Sequence, residues 1–127
     1  MKRADIEALQ LRRLKWMVDY CYNNVPFYHE RLGQAGVTSG DKIKTPSDIQ
    51  YIPFTTKDDT RDNYPFGTLA VPMQDIVRIH ASSGTPGKPT RGAYTHAQLA
   101  NWSDIVARIA TASGVHSHDL IPVALRA

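Results

Sequence analysis

The stretch SSGTPGKPT at residues 82–90 gathers four hydroxyl-bearing side chains (Ser82, Ser83, Thr85 and Thr90), two glycines (Gly84 and Gly87) and Lys88. That is the composition of a phosphate cradle. Glycine lets the backbone approach an anion, hydroxyls donate to its oxygens, and a lysine supplies positive charge. The stretch is not a Walker A loop: Lys88 is followed by Pro89, and no glycine lies at the required distance before Gly87. A Walker loop also opens directly into a helix, whereas this one is flanked by strand-like sequence. The same residues fit a long hairpin turn, with Pro86 and Gly87 at its centre and the hydroxyls satisfying local backbone groups. Composition leaves both readings open.

Other candidates carry less. Lys57 could steer an acidic substrate or a nucleotide, but it also fits a solvent-facing lysine at a helix start. His80 precedes the stretch in a strand, where a hydrogen-bonded structural imidazole is expected rather than a base. His29, His96, His116 and His118 show no metal-ligand spacing with cysteine or paired carboxylates, so no metal ligands are assigned. Tyr20, Tyr22, Phe27 and Tyr28 could line an aromatic pocket, yet aromatics clustered at a helix junction are expected in the core. Cys21 is the lone cysteine and is expected as a buried thiol, in keeping with a reducing compartment.

The elements that must position these residues begin with helices. Ile6, Leu9, Leu14, Met17, Val18 and Cys21 recur at helical spacing from Asp5 to about Tyr22. Pro26 excludes the preceding residue from a helix, so a second helix is predicted near Phe27, ended by Gly33 and Gly36. Thr45-Pro46 predicts a short helix over residues 47–50, and the Thr-capped acidic turn predicts another over residues 57–63. DIVRIHA at residues 75–81 alternates like a strand, and residues 91–94 can pair with it across the 82–90 stretch. Thr95 and Gln98 form a capping box ahead of Leu99, Trp102, Ile105, Val106 and Ile109, a helix running to Gly114. Residues 120–125 open like a buried strand.

At 127 residues, 42% hydrophobic and 21% charged, the chain has the size and composition of one folded unit or part of one. Its charge of +3 is interspersed. Lys2, Arg3, Arg12, Arg13 and Lys15 form only a modest cluster that fits a solvated helix face, so nucleic acid is not implied. No window approaches the ~18 consecutive apolar residues of a membrane span, and the amino terminus lacks an apolar stretch of signal-peptide length. No membrane partner and a cytoplasmic location are expected.

Several ordered motifs resemble the adenylate-forming enzymes, and within them the AMP-forming phenylacetate–coenzyme A ligases. SSGTPGKPT resembles the phosphate-binding motif of that group, SSGTTGKPT in its common form. Asn24-Val25-Pro26-Phe27-Tyr28 is similar to the family's NVPFY. Pro53-Phe54-Thr55-Thr56-Lys57, with Arg61-Asp62-Asn63-Tyr64-Pro65-Phe66-Gly67, is similar to PFTTK and RDNYPFG, and Arg78-Ile79-His80-Ala81 to the RIHA that leads into the loop. The likeness runs from about Leu11 to about Asp119 with family spacing.

The resemblance implies an α/β fold: amino-terminal helices followed by the first strands and helix of the large domain, incomplete. Residues 1–74 would be mainly helical, 75–95 strand, phosphate loop and strand, and 96–127 a helix and an incomplete strand. It implies activation of phenylacetate or a related aryl acid with ATP to an acyl-adenylate, then transfer to coenzyme A, with Mg²⁺ accompanying the nucleotide. By position, Ser82, Ser83, Gly84, Thr85, Gly87, Lys88 and Thr90 fall on the nucleotide loop. Pro86 departs from the family's threonine, removing one N–H and one hydroxyl from the loop. The catalytic lysine of the family lies in a carboxy-terminal domain that has no counterpart here, so catalytic residues stay unassigned. Relative to the family the chain reads as truncated, and the isolated piece is expected to be inactive. The partners implied are small molecules, with a complementing chain or a homodimer left open. The alternative is a non-catalytic nucleotide-binding module or a subunit of a split enzyme.

Overall fold

A computed structural model describes residues 2–81 and 91–122 of the chain. Helix α1 (Arg3–Asn24) is followed directly by α2 (Pro26–Gln34). Val25 between them is extended (φ −123°, ψ 109°), as a residue preceding proline must be. The second helix, expected near Phe27, begins at Pro26 itself, because a proline at the first helical position gives up only an N–H that had no intrahelical partner. Gly33 lies inside α2, and Gly36 alone ends it. With φ +73°, Gly36 turns the chain so that the Val37 N–H reaches the Leu32 carbonyl at 2.9 Å.

The core sits at this end. Val18, Leu32, Val37 and Ile43 form a buried cluster, with Leu11, Leu14, Cys21, Tyr22, Tyr28 and Ile52 packed around it. The buried stripe of α1 thus runs through residues 11, 14, 18, 21 and 22. Met17, expected on it, lies one residue off and is half exposed. Cys21 is only partly buried, though its thiol pKa is raised by that burial.

Short helical turns carry the chain out of the core. A 3-10 turn at Gly40–Lys42 was not foreseen. The predicted helix after Thr45 is a 3-10 helix over Pro46–Tyr51, its Asp48 accepting from the Lys44 and Thr45 backbone N–H groups at 2.6 and 3.0 Å. Those bonds hold the Asp48 carboxyl below its usual pKa. Helix α3 (Lys57–Asp62) is capped by Thr56, whose hydroxyl accepts from the Asp59 N–H at 3.2 Å.

Strand β1 (Arg78–Ala81) pairs antiparallel with β2 (Arg91–Tyr94), Arg78 opposite Tyr94 and Ala81 opposite Arg91. The strand expected from Asp75 starts three residues later. Thr95 turns into the cap of the next helix, so β2 offers nothing for residues 75–76 to pair with, and Met73–Asp75 forms a 3-10 turn instead. Helix α4 (His96–Ala112) is capped as predicted, the Gln98 N–H bonding the Thr95 hydroxyl at 3.3 Å. Gly114 (φ +88°) closes it. The strand expected from Leu120 is not formed at residues 120–122. Leu120 is 98% exposed there, and no described strand lies alongside. The remainder of that predicted strand, residues 123–125, lies outside the described residues.

Candidate functional site

The loop residues Ser82, Ser83, Gly84, Thr85, Gly87, Lys88 and Thr90, and Pro86 with them, lie outside the described residues. The site is therefore built from its base. Ala81 and Arg91 face each other on the rung that closes the hairpin, so both ends of the 82–90 segment leave from one ladder position. The ladder extends beyond β1 through the Val77 N–H, which donates to the Tyr94 carbonyl at 2.9 Å.

Two groups of side chains brace that base. On one side His80, Tyr94 and Trp102 form a ring cluster with centroids 5.2 to 5.4 Å apart, fastening the hairpin to α4. His80 is held by ring packing, and among the described residues its side chain makes no hydrogen bond of the kind expected. On the other side, the Arg91 guanidinium lies over the Tyr64 ring at 4.4 Å and near the Phe66 ring at 5.8 Å. This brings the Tyr-Pro-Phe turn against the residue that immediately follows the segment. No local pattern announces the contact, since its partners belong to separate elements and neither position has helical or strand periodicity with the other.

Lys57 is exposed at the first position of α3, where its carbonyl accepts from the Thr60 hydroxyl at 2.7 Å. The helix is tied to α2 by Arg31, which pairs with Asp59 at 2.7 Å. The aromatics of the first helix junction serve packing: Tyr22 stacks on His29 at 4.2 Å, and the Tyr28 hydroxyl accepts from Thr55 at 3.2 Å. Phe27 lies under Arg31 and Tyr20 stacks on Trp16. Among the described residues no group of three His, Cys, Asp or Glu is placed to hold a metal ion, and no described helix is long and apolar enough to cross a membrane.

No family model matches the chain. It is nevertheless 51% identical over 120 residues to the phenylacetate-coenzyme A ligase of Escherichia coli K12, covering 94% of this chain and 27% of that one. It is 47% identical over 120 residues to the enzyme of the same name from Aromatoleum evansii (94% and 27%), and 46% over 114 residues to that of Thermus thermophilus (90% and 25%). The chain strongly resembles the amino-terminal part of these ligases and spans about a quarter of their length. Among solved structures, 2-hydroxyisobutyryl-CoA ligase in the postadenylation state with 2-HIB-AMP superposes with a TM-score of 0.84 at 27% identity, covering 94% of this chain and 26% of that one. The same ligase in the thioesterification state gives 0.77 at 28% identity, covering 86% and 24%. The arrangement of amino-terminal helices, antiparallel strand pair and helix matches the start of an adenylate-forming domain.

Proposed function

We propose that the chain belongs to the AMP-forming phenylacetate–coenzyme A ligases and supplies the amino-terminal portion of such an enzyme, with residues 82–90 as its ATP phosphate loop. One observation carries the reading: identity of 43 to 51% to four such ligases over 90% or more of the chain, with SSGTPGKPT falling in the sequence between β1 and β2. In the reaction a carboxylate oxygen attacks the α-phosphorus of ATP, the bond to the β-phosphate breaks and pyrophosphate leaves. The coenzyme A sulfur then attacks the acyl carbonyl and AMP departs. Such displacement depends chiefly on positioning and charge neutralisation. Gly84 and Gly87 let the backbone approach the β- and γ-phosphates. Ser82, Ser83, Thr85 and Thr90 donate hydroxyl hydrogen bonds, and Lys88 places its charge beside the oxygens. Mg²⁺ would accompany the nucleotide and offset part of its charge.

The test uses the purified chain mixed with a polypeptide comprising the remaining three quarters of a relative. With ATP, phenylacetate and coenzyme A, AMP release is expected from the mixture and not from the chain alone. Lys88→Ala lowers it at least about tenfold, the equivalent of one charge-assisted hydrogen bond. Release that ignores Lys88→Ala overturns the role of the loop. ATP binding with no release from the mixture indicates a non-catalytic nucleotide-binding module instead.

A further inference from the structure

The apolar residues of α1 fall on two faces. Leu11, Leu14, Val18 and Cys21 form or pack against the core, whereas Ile6, Leu9, Trp16 and Tyr20 lie outside that cluster. Ile6 is 38% and Trp16 58% exposed, and Leu9 and Tyr20 are half-buried. With Arg13 these residues stand at 6, 9, 13, 16 and 20, the alternating three-and-four spacing of a helix-packing seam about 21 Å long, on the side of α1 away from Val18. We propose that this seam pairs with the same helix of a second copy of the chain, antiparallel about a two-fold axis. Nothing in it depends on residues 82–90. Arg13, in the middle of the seam, selects the partner. It is exposed and has no ion-pair, hydrogen-bond or ring partner among the described residues, and the same holds for Arg12 beside it. A parallel pairing in register sets Arg13 against the partner's Arg13, and the like charges repel. An antiparallel pairing with its axis between residues 14 and 15 sets Arg13 against the partner's Trp16, and Trp16 against the partner's Arg13. A guanidinium over an indole face is the most favourable cation–π pair, and the symmetry makes it twice. The same axis sets Leu9 against the partner's Tyr20, whose ring already stacks on Trp16 at 5.0 Å, so that each copy offers one continuous aromatic surface. At the edge of the seam Arg12 comes beside the partner's Asp19, an exposed carboxylate with Oδ1 on the Gly40 N–H. Both cations of the seam thereby meet a complement that the chain itself supplies.

The experiment measures the mass of the purified chain by sedimentation equilibrium over a series of concentrations. The average mass is expected to rise with concentration toward twice that of the chain, reversibly, because one helix pair lies below the roughly 1,200 Å² of stable interfaces. Trp16→Glu and Arg13→Glu each raise the dissociation constant at least about tenfold, since every change is felt twice across the axis. Arg13→Lys, which keeps a cation over the ring, stays within about threefold of the unsubstituted chain. Both positions are exposed, and circular dichroism checks that the variants keep their helix content. Ile109→Lys, on the exposed face of α4, leaves the dimer unchanged. In a Cys21→Ser background, Leu9→Cys and Tyr20→Cys chains mixed under mild oxidation join to each other in preference to their own kind. A chain that stays monomeric at every concentration, a dimer lost in Ile109→Lys but kept in both α1 variants, or crosslinking between like chains each overturns the pairing. A monomer whose Trp16→Glu variant binds the remaining three quarters of a relative less tightly overturns it too, and assigns the seam to that polypeptide.

Discussion

Asp59 joins two helices through one carboxylate. It accepts from the Thr56 backbone N–H at 2.7 Å and the Thr56 hydroxyl at 2.8 Å at the start of α3, and pairs with Arg31 of α2 at 2.7 Å. The backbone hydrogen bond first, and the guanidinium next, lower its pKa from 3.8 to about 2. A carboxylate whose folded pKa is depressed contributes stability that is fully present above its unfolded pKa and lost as pH falls through the folded value. The α2–α3 linkage is therefore expected to weaken between about pH 4 and pH 2. In Asp59→Asn the stability lost over that window, measured by urea denaturation at successive pH values, is smaller than in the unsubstituted chain. An identical pH dependence in both would show that Asp59 does not carry the linkage. The Thr56 cap and the acidic turn were legible in the sequence, because capping is local. The partnership with Arg31 was not, since it is decided by how two helices meet.

At the scale of the elements, Gly40 shows the same division. Its N–H donates to Asp19 Oδ1 at 2.7 Å, and a Cβ added there would lie 2.5 Å from the Lys15 carbonyl oxygen and 2.7 Å from Asp19 Oδ2. The turn at Gly40–Lys42 is thus pressed against the backbone of α1, with no room for a side chain. Gly40→Ala is expected to destabilise the chain by about 1–3 kcal/mol, the usual range for overpacking a filled site. Guanidinium denaturation measures this, and Gly36→Ala serves as a contrasting control. Gly36 has open space around it but a left-handed φ of +73°, so its cost is one of conformation rather than collision. Sequence showed that Gly36 lay near a helix end but said nothing of Gly40, whose neighbours are 21 residues away or more. The boundaries of β1 were misjudged for a related reason. Alternation marks residues that could be a strand, whereas the observed length is set by what β2 offers to pair with. The hairpin, the capping box of α4 and the α/β order were readable because each rests on residues close in sequence. The support of Arg91 by Tyr64 and Phe66 was not, because it joins elements with no shared period.

Across the whole molecule, burial is uneven. Val18, Val25, Leu32, Val37 and Ile43, at 1 to 5% exposure, all lie in the first two helices, at the residue joining them or in the segment that follows, up to residue 43. Helix α4 has the apolar spacing expected of a buried face, yet Ile105, Val106 and Ile109 are 54, 51 and 61% exposed. Between α4 and β1 lies an open groove of about 470 Å³ lined by Arg78, Leu99, Trp102, Ser103, Val106 and Ala107. The helix was read correctly from that spacing, but periodicity says which face is apolar and not what covers it. In the proposed enzyme, three quarters of the polypeptide is available to cover that face. The two ends of the chain should therefore respond oppositely to substitution. Ile43→Ala, at a site 1% exposed, is expected to cost about 2–5 kcal/mol. Ile109→Lys should change the stability of the isolated chain by no more than about 0.5 kcal/mol, since its side chain is already largely in water. In the mixture with the remaining three quarters, Ile109→Lys should lower AMP release, because a lysine there must be desolvated to dock. Thermal denaturation and the release assay read the two effects separately. A loss of stability in isolated Ile109→Lys as large as that of Ile43→Ala would mean that the α4 face is already covered in the chain by itself.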